Sequence, residues 1–219
     1  MDMLMAPDPE IEQAIHARIR DAAVEQFGRK GFDVDLAAIA HAAGAGVDLA
    51  AQLVGSTGDL RRECDAYVAE LVKESKSEAL QSISPDDWFR QLAEVDSYAP
   101  IMKYLVRSMI SGGDLGRALM HQMIDNAEAY LEDAVTMGSI VPSRDPKARA
   151  RFLALNGGGG FLLYLHMHET PDDMRAVLRD YDRDMIMPAL ELYTNGLLAG
   201  SAMYEAFLNR SETQPRAVI

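Results

Sequence analysis

Two pairs of residues have types and spacings that could bind a metal ion, His166 with His168 and His121 with Asp125. Residues two apart in a helix point about 200° away from each other, so the histidine pair could share one ion only on an extended segment. His121 and Asp125 are four residues apart and share one helical face, a spacing more typical of a solvent-side hydrogen bond than of a site. We therefore expect no metal site.

The residues that could catalyse a reaction do not form a recognisable motif. No serine, histidine and acid fall into a catalytic pattern, and no cofactor fingerprint is present. Cys64 is the single cysteine, which excludes an internal disulfide. It lies on an apolar helical stripe, which favours a buried small hydrophobe over a redox sensor. The sequence predicts no catalytic residue and no cofactor, so we expect a protein that is not an enzyme.

Asn156 is followed by four glycines, residues 157–160, which is unusual for a helical segment. The run is not a phosphate-binding loop, since neither a Lys-Ser/Thr pair nor the GxGxxG spacing is present. Each glycine in a helix costs about 1 kcal/mol relative to alanine. Close backbone approach to a ligand or to a second copy would offset this cost. The alternative is a plain break between two shorter helices.

The spacing of apolar residues is helical along nearly the whole chain, with no strand-like alternation. A first helix carries Ile11 to Phe27 on one face, and two short helices follow, Leu36 to about Ala43 and Val47 to about Val54. A tight turn, residues 43–46, separates the short helices, which is typical of a helix-turn-helix. We predict an all-α fold of about nine to ten helices, with a helix-turn-helix domain at 1–56 and a helical bundle at 57–219. Pro188 should kink or split the last long helix.

The composition fits a folded protein, with 219 residues, 48% apolar and 25% charged, and a net charge of −13. No apolar run approaches the roughly 18 residues that a bilayer span needs. The first residues lack a basic region followed by an apolar core, so we expect no secretory signal and a cytoplasmic protein. Residues 1–60 contain four basic and ten acidic residues. This balance weighs against DNA binding.

Three segments near the N-terminus are similar to the DNA-binding domain of the TetR family of transcriptional regulators. Residues 19–23 read Ile-Arg-Asp-Ala-Ala, residues 27–32 read Phe-Gly-Arg-Lys-Gly-Phe, and residues 39–44 read Ile-Ala-His-Ala-Ala-Gly. The similarity covers roughly residues 11–60. It implies a homodimer that pairs through two long helices, here about 145–168 and 171–198. It also implies binding to operator DNA and a pocket for a small-molecule effector in the C-terminal domain.

The third helix departs from the family pattern, which is of the type Gly-Thr-Leu-Tyr-x-His-Phe followed by Ser-Lys. The Tyr, His, Phe and Lys positions hold Ala51, Leu53, Val54 and Thr57. From Gly31 to Leu60 there is no Lys or Arg, although basic groups supply most of the affinity for phosphates. The predicted DNA contacts are therefore few: Gln52, which can read an adenine edge, and Arg61, Arg62, Arg18 and Arg20.

Two functions from different classes remain open at this point. The first is a repressor-type regulator whose dimeric helix-turn-helix binds DNA and responds to a ligand. The second is a TetR-like protein that has lost operator binding and acts as a ligand- or protein-binding partner. Family frequency favours the first, and the acidic recognition helix favours the second.

Methionines and aromatic residues are frequent in the C-terminal domain, where they could line a pocket. Methionine adapts to irregular shapes, and the implied effector would be mainly apolar and neutral or cationic. The alternative for each single residue is ordinary core packing. The predicted ligand-binding residues are Trp88, Phe89, Met102, Met109, Met120, Met123, Phe161 and Tyr164.

Overall fold

The computed structural model describes residues 9–81 and 84–213, apart from the side chains of residues 87, 88, 91, 92 and 211–213. This part of the chain is all-helical and holds no strand, which confirms the predicted fold class. Ten α-helices and one 3-10 helix follow one another. They are α1 Pro9–Lys30, α2 Leu36–Ala42, α3 Val47–Val54, α4 Thr57–Gln81, α5 Pro85–Ala93, the 3-10 helix Val95–Tyr98, α6 Ala99–Ser111, α7 Gly113–Thr136, α8 Pro146–Met167, α9 Met174–Asn195 and α10 Ala202–Thr213.

Helices α1 to α3 form the predicted helix-turn-helix. Asp35 caps α2, because its carboxylate accepts a 2.7 Å hydrogen bond from the backbone N–H of Ala38. The turn that follows contains Gly44 at a φ of +64°, a left-handed conformation that favours glycine. Gly55, at a φ of +69°, ends α3. Local capping and turn chemistry therefore set the limits of the two short helices.

One continuous core joins the helix-turn-helix to the helices behind it. Fully buried Ile19 and Phe27 of α1, Leu60 of α4, Tyr104 of α6 and Leu119 of α7 belong to the same cluster. Helix α1 packs on α6, and α4 packs on α7. The closest approach is at Gly28 of α1, where an added Cβ would lie 3.0 Å from the backbone nitrogen of Tyr104. A side chain at position 28 would push α6 away from α1.

Cys64 lies in this core and is fully buried. Burial is the largest of several causes that raise the pKa of its thiol from 9.0 to about 12. The interpretation of Cys64 as a buried small hydrophobe is confirmed.

Helix α8 continues through the four glycines without a break, so the expected alternative of two shorter helices is wrong. Asp145 caps its first turn, with its carboxylate 2.9 Å from the backbone nitrogen of Ala148. The space around the glycines is mostly open: only Gly158 has a neighbour, since an added Cβ would lie 3.5 Å from the sulfur of Met109. Helix α9 likewise runs on through Pro188 as one helix.

The described chain divides into two compact units, the first ending at Arg179 and the second beginning at Asp180. This division differs from the domain boundary at 56/57 expected from the sequence, which stays a prediction. Among the described helices, none is by itself long and apolar enough to span a bilayer; α2 and α3 meet that criterion only together, as a pair bent by 107°.

Candidate DNA-binding surface and effector region

The polar face of the recognition helix α3 is short and carries no cation. Gln52 and Asp48 are exposed, one helical turn apart, while Ala50 and Val54 are buried against the core. Gln52 is therefore placed on the outer face of α3, where a side chain can reach a base edge. Asp48 on the same face would repel phosphates.

Arg18 of α1 binds the turn between α2 and α3. Its guanidinium donates hydrogen bonds to the backbone oxygens of Ala43, at 3.2 Å from Nε, and of Gly44, at 3.1 Å from Nη2. A further contact joins Nη2 to the oxygen of Ala43. These bonds satisfy carbonyls at the end of α2 and fix the turn that positions α3. The side chain predicted to contact DNA thus stabilises the helix-turn-helix.

Arg20 is also engaged within the protein. Its guanidinium carbon lies 3.6 Å from the centre of the Tyr67 ring of α4, a cation–π contact. Its Nη2 lies 2.9 Å from the carboxylate of Asp21. Arg20 therefore connects α1 to α4.

Arg61 lies in the interior, and its side chain is only 15% exposed. The guanidinium carbon is 3.4 Å from the centre of the Phe32 ring, and Nε is 3.9 Å from the carboxylate of Asp65. In the described part of the chain, Nε and Nη2 are buried without a hydrogen-bond partner. This position corrects the expectation that Arg61 replaces the missing lysine on the DNA-facing surface.

Asp65 and Tyr104 complete this buried cluster. The Tyr104 hydroxyl donates a 2.7 Å hydrogen bond to Asp65 Oδ1. Burial raises the pKa of Asp65, while the bond from Tyr104 and the charge of Arg61 act in the opposite direction. Burial, and next the bond to Asp65, also raise the pKa of Tyr104. The Tyr104 ring packs edge-on against Phe32 at 5.6 Å, so the cluster joins α4 and α6 to the loop after α1.

Arg62 is an exposed cation, with a side chain that is 60% accessible. It pairs with Asp59, which forms a reciprocal cap with Ser56: the Ser56 N–H donates to Asp59 Oδ2 at 3.0 Å, and the Asp59 N–H donates to the Ser56 hydroxyl at 3.2 Å. Hydrogen bonds from the Ser56 hydroxyl and N–H, and then from Arg62, lower the pKa of Asp59. Arg62 would have to exchange this partner for a phosphate.

The predicted ligand-binding residues occupy several different environments. Met102, Met109, Met120 and Met123 are half-buried and pack against the common core. Phe161 is buried, Tyr164 is half-buried with its ring 5.9 Å from that of His168, and Phe89 is exposed. The side chain of Trp88 lies outside the described residues.

An open cleft of about 630 Å³ lies elsewhere in the first unit, and none of the predicted ligand-binding residues lines it. Its walls come from α1, the end of α2, α4 and the segment around the start of α6. Because four separate elements contribute, spacing along the chain contained no signal for it.

The histidines do not form a metal site in the described part of the chain, where no group of three or more His, Cys, Asp or Glu could hold an ion. His168 Nδ1 instead lies 3.1 Å from the backbone nitrogen of Thr170, which donates to it.

The first three helices form a helix-turn-helix with Gln52 exposed on α3, and further helices follow them. This arrangement is typical of a helix-turn-helix regulator. Residues 96–199 match the family model described as tetracyclin repressor-like, C-terminal domain. The chain is 60% identical over 197 residues to the HTH-type transcriptional regulatory protein RaaS of Mycobacterium tuberculosis, covering 90% of this chain and 93% of that protein. The chain belongs to the TetR family of transcriptional regulators, so the resemblance inferred from its sequence is confirmed.

Two solved structures are also similar. The TetR-family regulator PfmR of Thermus thermophilus shares 20% identity, over 84% of this chain and 97% of that chain, with a TM-score of 0.48. A TetR-family regulator of Pectobacterium atrosepticum shares 16% identity, over 88% of this chain and 98% of that chain, with a TM-score of 0.49.

Proposed function

We propose that this chain is a homodimeric, repressor-type regulator that binds operator DNA through α1 to α3 and releases it in response to a small, mainly apolar effector. The observation that carries the proposal is the complete helix-turn-helix: Arg18 holds the turn, and Gln52 is exposed on α3. The name of the 60% identical relative, an HTH-type transcriptional regulatory protein, supports the same function. The protein would act in the cytoplasm, where operator DNA is found, and we expect no catalytic turnover.

The proposed DNA contacts are reduced to the exposed side chains that do not hold the turn or join two helices. Gln52 would read a base edge, and Arg62 would contact a phosphate after leaving Asp59. Arg18 and Arg20 act mainly by holding α1 against the turn and against α4. Few phosphate contacts mean that few counterions are released, so the affinity should fall less steeply with salt than for a more basic domain.

The proposed dimer interface includes an apolar stripe on α8. Phe152, Leu155, Leu163 and Met167 are between 55% and 82% exposed, and their spacing places them on one face together with Gly159. A patch of large apolar side chains of this extent is unusual on a monomer. We propose that the stripe packs on a second copy, with Gly159 allowing close approach of the two backbones.

The second unit, considered by itself, also exposes apolar residues of α9. Met187, Leu190 and Tyr193 are exposed on its C-terminal half. They fall within the segment 171–198 that the family resemblance assigns to the dimer. We propose that this half of α9 contributes to the same type of contact in a homodimer.

The proposed effector would bind among the helices of the C-terminal domain. Met102, Met109, Met120 and Met123 are only half-buried, and flexible thioethers can move to admit an apolar molecule. Phe161 and Tyr164 of α8 would provide aromatic contacts. This part of the proposal rests on the residue types and on the family.

The test of DNA binding is a titration of the purified protein against a labelled fragment of its own upstream DNA, at about 50 mM and about 200 mM salt. We expect saturable binding that an excess of unrelated DNA displaces only poorly. In Gln52→Ala, unrelated DNA should compete more effectively, because specificity is lost. The exposed Gln13→Ala of α1 is the matched control and should behave as the unchanged protein. A folded dimer that binds no DNA at the lower salt concentration would contradict the proposal and favour a ligand- or protein-binding partner.

A further inference from the structure

The cleft of about 630 Å³ beside α1 has the size of a small-molecule site and lies apart from the residues predicted to bind the effector. One wall is a complete face of α1, with Arg18, Asp21, Ala22 and Glu25 spaced by three and four residues. A helix face turned towards a cleft presents all its side chains to the same occupant.

The rest of the cleft lining is more apolar. Tyr98, Pro100 and Ile101, from the end of the 3-10 helix and the start of α6, belong to it, and Leu71 of α4 adds another apolar side chain. Tyr98 is 37% exposed, so its ring is accessible to an occupant. These residues would contact a hydrocarbon or aromatic body.

The charged residues of the cleft favour a cationic occupant. Asp21 and Glu25 are each more than half exposed, and the arginines that pair with them, Arg20 at 2.9 Å and Arg29 at 3.3 Å, form only exposed ion pairs. Such pairs contribute little to stability, so a ligand cation can compete for the carboxylates. The third charged group, Arg18, is bound to backbone carbonyls. Among the charged side chains that line the cleft, two are carboxylates and one is a guanidinium already bound to carbonyls, so the lining carries a net negative charge.

The protein itself already places a cation on an aromatic ring beside this cleft, since the Arg20 guanidinium lies over Tyr67, one of the lining residues. A metal ion fits poorly, because hard cations need about six oxygen ligands and part of the cleft lining is apolar. We propose that the cleft binds a small organic cation, a protonated amine on an apolar body. Asp21 and Glu25 face the charge, and Tyr98, Pro100 and Ile101 contact the body.

The position of the cleft connects binding to the helix-turn-helix. Ala42 and Ala43, at the end of α2, also line it, and Ala43 is the residue whose carbonyl Arg18 holds. A bound cation would therefore lie between the helix-turn-helix and the start of α6. Its expected effect on operator affinity rests on the proposed function; binding itself does not.

The experiment compares three compounds with the same phenylbutyl body: 4-phenylbutylamine, 4-phenylbutanol and 5-phenylpentanoate. Each is titrated into the full chain at neutral pH without DNA, and binding is followed by calorimetry and by saturation-transfer NMR. We expect the amine to bind more tightly than the alcohol, and the carboxylate to bind least. The double variant Asp21→Asn/Glu25→Gln should weaken amine binding about 3- to 10-fold, the effect of two exposed ion pairs, and leave binding of the alcohol unchanged.

A matched control removes the same charge elsewhere. Glu74 and Glu78 are exposed on α4 with the same spacing of four residues, so Glu74→Gln/Glu78→Gln changes the net charge equally outside the cleft. The control should bind the amine as the unchanged protein does. Ala22→Leu, which adds volume to the wall of the cleft, should weaken both the amine and the alcohol. This variant keeps the test valid if the double variant does not fold.

Three outcomes would overturn the inference. They are the absence of saturable amine binding at millimolar concentrations, equal binding of the amine and the carboxylate, and equal loss in the Glu74/Glu78 control. Because no DNA is present, each outcome leaves the proposed regulator function untouched. Conversely, amine binding that depends on Asp21 and Glu25 would stand even if the chain bound no operator.

Discussion

At the scale of single residues, all four arginines predicted to bind DNA have partners within the protein, and Arg62 pairs with an exposed carboxylate, that of Asp59. Arg18 holds backbone carbonyls, Arg20 lies over Tyr67, and Arg61 lies over Phe32. Their residue type suggested phosphate contacts, but a long side chain can also turn inward and cover aromatic rings. Arg18, Arg20 and Arg61 position the helix-turn-helix more than they add to its electrostatic attraction.

The hydrogen bonds from Arg18 to the turn between α2 and α3, here called the Arg18 clamp, lead to the first prediction. Arg18→Ala leaves the carbonyls of Ala43 and Gly44 without this donor, which should lower the free energy of unfolding by about 1–3 kcal/mol. Because the turn positions α3, operator affinity should fall by more than the loss of one charge explains. Arg29→Ala, which removes an exposed i,i+4 ion pair from the same helix, is the control. Chemical denaturation and the DNA titration measure the two effects; equal behaviour of the two variants would refute the clamp.

The buried bond between Tyr104 and Asp65 leads to a second prediction, about pH. Tyr104→Phe removes a donor to a buried carboxylate and should lower the free energy of unfolding by about 1–3 kcal/mol at neutral pH. Burial holds the pKa of Asp65 above its usual value of 3.8 in the folded state. The ionised folded form is therefore disfavoured relative to the unfolded chain, and stability from this group is present at low pH and lost as the pH rises through its folded pKa.

The same linkage between the pKa of Asp65 and the free energy of unfolding predicts how the effect of Tyr104→Phe changes with pH. The hydroxyl donates more strongly to the ionised than to the protonated carboxyl, so Tyr104→Phe should raise the folded pKa of Asp65 further. The destabilisation should thus be larger at neutral pH than near pH 4, a comparison that denaturation curves at both values provide. A pH-independent loss would mean that Asp65 is already protonated at neutral pH.

At the scale of elements, the helix α8 combines a run of glycines with an exposed apolar stripe. Gly157 and Gly159 are both exposed and have open space around them, but only Gly159 lies on the face of Phe152, Leu155 and Leu163. The two positions therefore separate the intrinsic cost of glycine in a helix from a requirement for close packing.

The third prediction uses this pair of positions. Gly157→Leu should stabilise the protein by about 1 kcal/mol, because leucine favours the helix and nothing opposes it. Gly159→Leu gains the same local term but separates the two backbones of the proposed dimer, so it should shift the protein towards monomer. Analytical ultracentrifugation of both variants over a range of concentrations checks this. If both variants remain dimers with unchanged affinity, Gly159 does not lie in the dimer interface.

Sequence reasoning recovered the helices well, because capping residues such as Asp35 and Asp145 and turn glycines such as Gly44 act locally. It failed where a contact joins residues that are distant along the chain. Arg61 meets Phe32 across 29 positions, and nothing near Arg61 in the sequence indicates that it turns inward. The alternative of a break at the glycines is wrong for a different reason, since an exposed glycine run does not by itself end a helix.

At the scale of the whole molecule, residues on both sides of the predicted boundary at 56/57 contribute to the core of the first unit. Ile19, Phe27 and Ile39 of the helix-turn-helix share one cluster with Leu60, Val68 and Tyr104. A segment of 56 residues that buries part of its apolar surface against neighbouring helices loses that part of its burial when it is isolated, and short chains have little burial to spare.

The fourth prediction is therefore that residues 1–56 alone do not fold. Circular dichroism of this fragment should show little helix, and thermal unfolding of the full chain should not reveal a separate transition for the helix-turn-helix. A variant in α6 or α7 of the full chain, such as Leu119→Ala, should lower the melting temperature of signals from both regions together. Independent melting of the fragment would show that the shared core is dispensable.

Cys64 makes this shared core directly measurable. The thiol is the chain's single cysteine, has no exposed surface, and has a pKa raised to about 12, so at neutral pH a thiol reagent cannot attack it in the closed structure. Labelling must wait until α1 and α4 separate, and its rate counts those openings. The rate of Cys64 labelling in the unmodified chain therefore measures how often the core opens. Comparing this rate with and without DNA or an amine would show how much each ligand slows the opening.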